Sequence, residues 1–182
     1  MTPRRTAVAS IALTIFLLPV ALLAEQPKPA PPAPVPAQIL AAKKIFIANA
    51  GGENHFYDDP IFSGTSNRAY DEFFADTKTW GRYELVGSPA DADLIFELQF
   101  TLPFAPPNVY KGTIAGPAPF DPQFRLVIRD PKTNVVLWGF TEHVQWAVLQ
   151  GNRDKNFEQA LNRVEGQLQA LSVSPSADEA KK

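Results

Sequence analysis

The chain has 182 residues, a length for one domain, and its 45% apolar and 20% charged content is ordinary for a globular protein. A net charge of −2, about −4 if Arg4 and Arg5 leave with a leader, supplies no basic stripe to follow a phosphate backbone and argues against a nucleic-acid partner. The absence of cysteine excludes disulfides, thiolate metal sites, a cysteine nucleophile and lipidation at a leader cysteine.

Residues 1–5 carry two arginines and no acid, and residues 6–24 are almost unbroken apolar sequence ending in Ala24. A positive head, an apolar stretch and a small residue form the export pattern, so residues 1–24 are expected to be a signal peptide cleaved after Ala24. The alternative is an uncleaved anchor, since the run approaches the lower length limit for crossing a bilayer, although Pro19 would disturb a spanning helix. Residues 25–42 follow as a Pro/Ala-rich linker, QPKPAPPAPVPAQ, which favours a semi-rigid polyproline II spacer. The folding unit is expected over residues 43–171, roughly 130 residues and enough to hold a core unaided. Residues 172–182 read as a disordered polar tail.

Within that unit, residues 43–49 form a short strand ending at Ala50-Gly51-Gly52; no Gly-Lys-Ser/Thr follows to make a phosphate loop. Residues 66–78 are expected to be helical, with Tyr70, Phe73, Phe74 and Thr77 on one face and Thr65 or Ser66 as the cap. Gly81 ends that helix and residues 82–86 make a brief strand. Leu94, Phe96, Leu98, Phe100 and Leu102 alternate with polar residues, the period of a half-buried strand. Residues 103–122, with six prolines and two glycines, form a long irregular excursion. Phe124, Leu126 and Ile128 alternate with Arg125, Val127 and Arg129. A turn over residues 130–134 leads to a return strand, on which Val136, Trp138, Phe140, Val144 and Trp146 share one face, with Thr141, His143 and Gln145 on the other. Asn152 or Asp154 is the expected cap of a second helix, whose stripe is Phe157, Leu161, Val164, Leu168 and Leu171, with Glu165 among the residues left in water.

Strands with one apolar face and two one-sided helices predict an α+β fold. Its form is a two-layer α/β sandwich with a mixed, mostly antiparallel five-stranded sheet and both helices on one face. The segments PADADLIFEL and FRLVIRDPKTNVVLW, followed by a terminal amphipathic helix, give the chain a resemblance to a group of bacterial envelope domains. That group includes the amino-terminal domain of the TolB translocation protein, the lipoprotein activators of penicillin-binding proteins and related secreted domains of unknown function. In these proteins the central hairpin often reads Asp, a short turn, two β-branched residues and Trp, as residues 130–138 do here. The resemblance implies an envelope-associated, non-enzymatic interaction domain and names no partner. The chain departs from the group in lacking a lipid-bearing cysteine and in its long insert.

Candidate chemistry is sparse. His55 with Asp58 and Asp59 offers divalent-metal ligands, but without a second histidine at helical spacing a polar loop is the expected reading. His143 is expected on the open sheet face with Arg125, Arg129, Glu97 and Gln99; no Gly-x-Ser-x-Gly elbow accompanies it. Phe104, Tyr110 and Phe120, held among prolines, form a contact patch or else pin the excursion to the domain. The expected contact surface is therefore Phe104, Tyr110, Phe120, Arg125, Arg129 and His143. The expected function is an exported, non-enzymatic interaction or structural domain, periplasmic or extracellular. Its partner would be another envelope protein, with no cofactor, no nucleic acid and no stable membrane insertion after leader removal. The rival reading is a small secreted hydrolase or sugar-binding protein using His143 or His55 with nearby carboxylates.

Overall fold

The computed structural model describes residues 33–53, 55–56, 59–103, 109–110, 113–114 and 120–173. In chain order these form α1 (Ala37–Ala41), β1 (Lys44–Gly52), β2 (His55–Phe56), β3 (Asp59–Pro60), α2 (Arg68–Trp80) and β4 (Glu84–Leu85). A 3-10 turn (Pro89–Asp91) then leads to β5 (Leu94–Thr101), β6 (Val109–Tyr110), β7 (Thr113–Ile114), β8 (Gln123–Arg129), β9 (Val136–His143) and α3 (Gln150–Leu171). The main sheet has the order β4-β1-β5-β8-β9. β1 pairs in parallel with β4 and β5, and the longer β5–β8 and β8–β9 pairings are antiparallel. This is the expected two-layer α+β sandwich, and α2 and α3 cover the face that carries Phe96, Leu98, Phe100, Phe124 and Leu126.

The period-2 pattern of β5 is realised in full: Leu94, Phe96, Leu98 and Phe100 are buried and the intervening residues only half so. At the centre, the rings of Phe62, Phe100, Phe124 and Phe157 meet at centroid distances of 4.8 to 5.4 Å. These tilted and edge-on contacts add to the burial of each ring. Gly81 closes α2 with φ 69°, a left-handed C-cap that a side chain would resist. Gly52 is required for another reason. A Cβ there would meet the carbonyl oxygen of Ser66 at 2.0 Å, so only glycine lets the end of β1 approach the start of α2.

Several sequence expectations are corrected. The folded unit begins before Lys43, because α1 lies inside the expected linker and buries Ile39 and Ala42 in the core. Arg82 holds this helix by donating to the Leu40 carbonyl at 3.2 Å. Ser172, expected in the tail, is buried: its hydroxyl donates to the Leu168 carbonyl at 2.8 Å and meets the Tyr83 hydroxyl at 2.7 Å. The N-cap of α2 is Asn67, whose own side chain makes no capping bond; Thr65 serves the helix start from two positions upstream, its hydroxyl accepting from the Asn67 N–H at 3.2 Å and its carbonyl from the Arg68 N–H at 3.1 Å. The buried line of α2 runs Ala69, Phe73, Thr77, and Phe74 lies at the flank, 36% exposed. On β9 a register shift between Ile128 and Arg129 places Val136 opposite Arg129 on the open face, away from Trp138 and Phe140. Trp138 and Phe140 do face the helices, but on an edge strand they are only partly buried. The 103–122 excursion contains a β6–β7 hairpin, pairing Val109 with Ile114 and Tyr110 with Thr113.

Candidate functional site

The face of the main sheet opposite the helices is built by strand register. Across β5, β8 and β9 it carries three rows: Glu97, Val127, Gly139; then Gln99, Arg125, Thr141; then Thr101, Gln123, His143. Parallel pairing with β1 adds Ala48 beside Glu97 and Phe46 beside Ile95. Arg125, Gly139, Thr141 and His143 are exposed. Val127 is 5% exposed although no helix covers it. It lies between Arg125 and Arg129 on its own strand, beside Glu97, and long side chains of this kind can shield an apolar neighbour with their stems.

One ion pair and one imidazole–carboxylate contact organise this face. Arg129 Nε donates to Glu97 Oε2 at 2.7 Å, with both side chains about one-third exposed, and Arg129 also donates to the Asn134 carbonyl at 3.4 Å. His143 Nδ1 lies 2.8 Å from Asp121 Oδ1, both well exposed. The hairpin leading to β9 is fixed by Asp130, whose carboxylate accepts from the Lys132 N–H at 2.9 Å and the Thr133 hydroxyl at 2.7 Å. These bonds, the Lys132 N–H first, hold the Asp130 carboxyl below the usual carboxylate range. Asn134 takes φ 55° to complete the turn.

Of the expected contact residues, Arg125, Arg129 and His143 share this face. Phe120 does not belong with them: it is 5% exposed and its ring lies 6.2 Å from Trp146. The backbone pins it there, for Asp121 N–H donates to the Pro103 carbonyl at 2.9 Å and closes the base of the excursion. Phe104 lies outside the described residues, and Tyr110 is described only as part of β6. Asp58 also lies outside them, while His55 and Asp59 are described only as strand backbone, with Phe56 opposite Asp59. Among the described residues no three His, Asp or Glu side chains are grouped to hold a metal.

Two further features escaped sequence reading. A cleft of about 450 Å³ lies at the other end of the sheet from His143, lined by Gln38, Lys43, Ala92, Asp93, Asp130 and Lys132 among others. Asp93 is engaged within the fold: its Oδ2 accepts from the N–H groups of Lys43 and Lys44, at 2.9 Å each, and these bonds lower its pKa. The second feature is the seam between α2 and α3. Arg68 bonds Glu72, Asp154 and Glu158 and stacks 4.4 Å over the Phe157 ring. Asp154, expected as a helix cap, instead accepts from the N–H and hydroxyl of Ser63 at 2.8 and 2.6 Å. Further along the seam Glu165, expected in water, has a buried Oε1 without a partner. Burial first, then the charge of Asp76 and a hydrogen bond with it, then Glu72, push its pKa up to about 7.

No family model matches the chain, and no curated protein matches it. Among solved structures, a DUF330 protein from Xanthomonas campestris superposes with TM-score 0.42 at 12% identity, covering 70% of this chain and 81% of that one. A neuraminyllactose-binding hemagglutinin homolog from Helicobacter pylori gives 0.45 at 11% identity, with 77% and 90% covered. Uncharacterized lipoprotein B from Nitrosomonas europaea gives 0.35 at 13% identity, with 73% and 82% covered. Neither the TolB domain nor a penicillin-binding-protein activator is among these three. Likenesses of this degree carry no inference about what the chain binds. Among the described residues no helix is long and apolar enough to cross a membrane.

Proposed function

We propose that the chain is an exported, non-enzymatic interaction or structural domain of the bacterial cell envelope, meeting another envelope protein through the open face of β5, β8 and β9. The observation that carries this reading is the organisation of that face. Polar side chains frame a covered Val127, and Glu97, Arg129 and His143 are each held by a partner within the chain. Side chains already fixed lose less entropy on binding, which is what pre-organisation contributes to affinity. The export pattern of residues 1–24 supports the location. A negative net charge and a face of mixed sign support a protein partner over nucleic acid.

The test has two arms. Amino-terminal sequencing of the chain from the cell that makes it should begin at Glu25; an intact leader in the membrane fraction would replace export by anchoring. A photo-crosslinking residue at position 125 should trap one defined envelope protein, and Thr141→Glu, placed in the same row, should abolish that adduct without lowering the melting temperature. An adduct insensitive to Thr141→Glu refutes the face. A turnover lost in His143→Ala would put the hydrolase reading in place of this one.

A further inference from the structure

The two edges of the main sheet are not alike. β4 is two residues long, a blunt edge. β9 is eight residues long, pairs among the described residues with β8 alone, and contains neither lysine nor proline, two of the devices that usually protect an edge. The phase of its hydrogen bonds shows which groups it leaves open. Val144 N–H donates to the Pro122 carbonyl at 2.7 Å. Bonded and non-bonded pairs alternate along an antiparallel ladder, so Glu142, Phe140 and Trp138 turn their backbone groups inward to Phe124, Leu126 and Ile128. Gly139, Thr141 and His143 then point theirs outward. Arg163 confirms that phase from outside the ladder by donating Nη2 to the His143 carbonyl at 3.0 Å. Among the described residues, the outward N–H and C=O groups of Gly139 and Thr141 have no partner.

We propose that β9 is a self-pairing edge: two copies of this chain join β9 to β9 antiparallel, about a two-fold axis at Phe140, into one continuous sheet. In this register Gly139 of each copy exchanges both backbone bonds with Thr141 of the other, which uses every open group just named. Phe140 faces its own copy as the non-bonded pair on the axis, the pairing that brings side chains closest. It does so on the helix side of the sheet, where Phe140 and Trp138 keep part of their rings uncovered. Glu142, the one acid of the strand, comes opposite Trp138, so no like charges face each other. On the open face, the missing side chain of Gly139 leaves room for Thr141. A two-fold edge of this kind also joins the two open faces side by side, although the pairing does not depend on what those faces bind.

The test uses the full chain, with the amino terminus that processing leaves. Sedimentation or light scattering over a dilution series should read twice the single-chain mass when concentrated and the single-chain mass when dilute. Amide exchange should show Gly139 and Thr141 slow only in the concentrated sample, with Phe140 and Glu142 slow in both. Thr141→Pro removes an outward N–H and no bond within the chain, a position where an edge strand tolerates proline. It should read as one chain throughout. If Thr141→Pro does not fold, the wild-type exchange pattern decides. A single-chain mass at every concentration overturns self-pairing, even if a different protein then protects these amides. So does a dimer in which Gly139 and Thr141 exchange freely.

Discussion

Glu165→Gln should make this protein more stable at neutral and alkaline pH, although it removes a charge from a helix. The Glu165 carboxyl titrates near 7 in the folded chain, against 4.5 for the free group. A raised acid pKa means that the folded state binds the proton more tightly between those values. Stability is therefore greatest below about 4.5, falls as pH rises through 7, and stays at its lower value above. The full shift corresponds to about 3 kcal/mol. Water reaches part of this side chain and screens it, so a destabilisation of about 1–2 kcal/mol at pH 8 is the working figure. Glutamine keeps the shape, offers Asp76 a permanent donor and removes the repulsion from Asp76 and Glu72. Urea unfolding at pH 8 should show the variant ahead by that amount, with the melting temperature raised by about 3–10 °C. Near pH 4 the two proteins should coincide. The reasoning is refuted if wild type and variant share the same pH slope between 5 and 8, or if the variant is the weaker at pH 8.

Asp154→Ala should cost about 1–2 kcal/mol in denaturant unfolding, because it removes two hydrogen bonds from the exposed Ser63 and takes a partly buried partner from Arg68. Although burial opposes ionisation of Asp154, the Ser63 bonds and Arg68 hold its pKa below the usual value, so its contribution is present at neutral pH and lost in acid. The variant should show a flatter acid limb. Phe157→Ala should cost about 3–5 kcal/mol by calorimetry or urea, and Phe140→Ala about 1–2 kcal/mol, since its ring lies partly uncovered on the edge strand. A Phe140 loss equal to that of Phe157 would contradict the edge placement. Phe120→Ala should lower the melting temperature, as removal of a buried ring does; no change would return Phe120 to the contact surface.

Much of this architecture was legible because the signal is local. Alternation over Leu94 to Leu102 and Phe124 to Ile128 has a period of two, and the stripe from Phe157 to Leu171 has a helical one; each pattern reports the face that its own element buries. Asp130 and Asn134 mark their turn by chemistry confined to a few residues. Arg125, Arg129 and His143 could be assigned to one face for the same reason, since strand phase carries side-chain direction with it. Four other features were settled only in tertiary structure. Val35, Ile39 and Ala42 stand at helical spacing but sit in a Pro/Ala-rich run, and so short a stretch gives too few apolar positions to mark a buried face. Val136 changes face through a register shift that alternation cannot show. Ser63 meets Asp154 across 91 residues, and Glu165 meets Asp76 because α3 packs along α2. A periodic pattern states that a surface is buried or exposed, but the neighbour it meets is chosen by long-range packing of the whole chain, and that neighbour decides whether a polar side chain is solvated, paired or left with a shifted pKa.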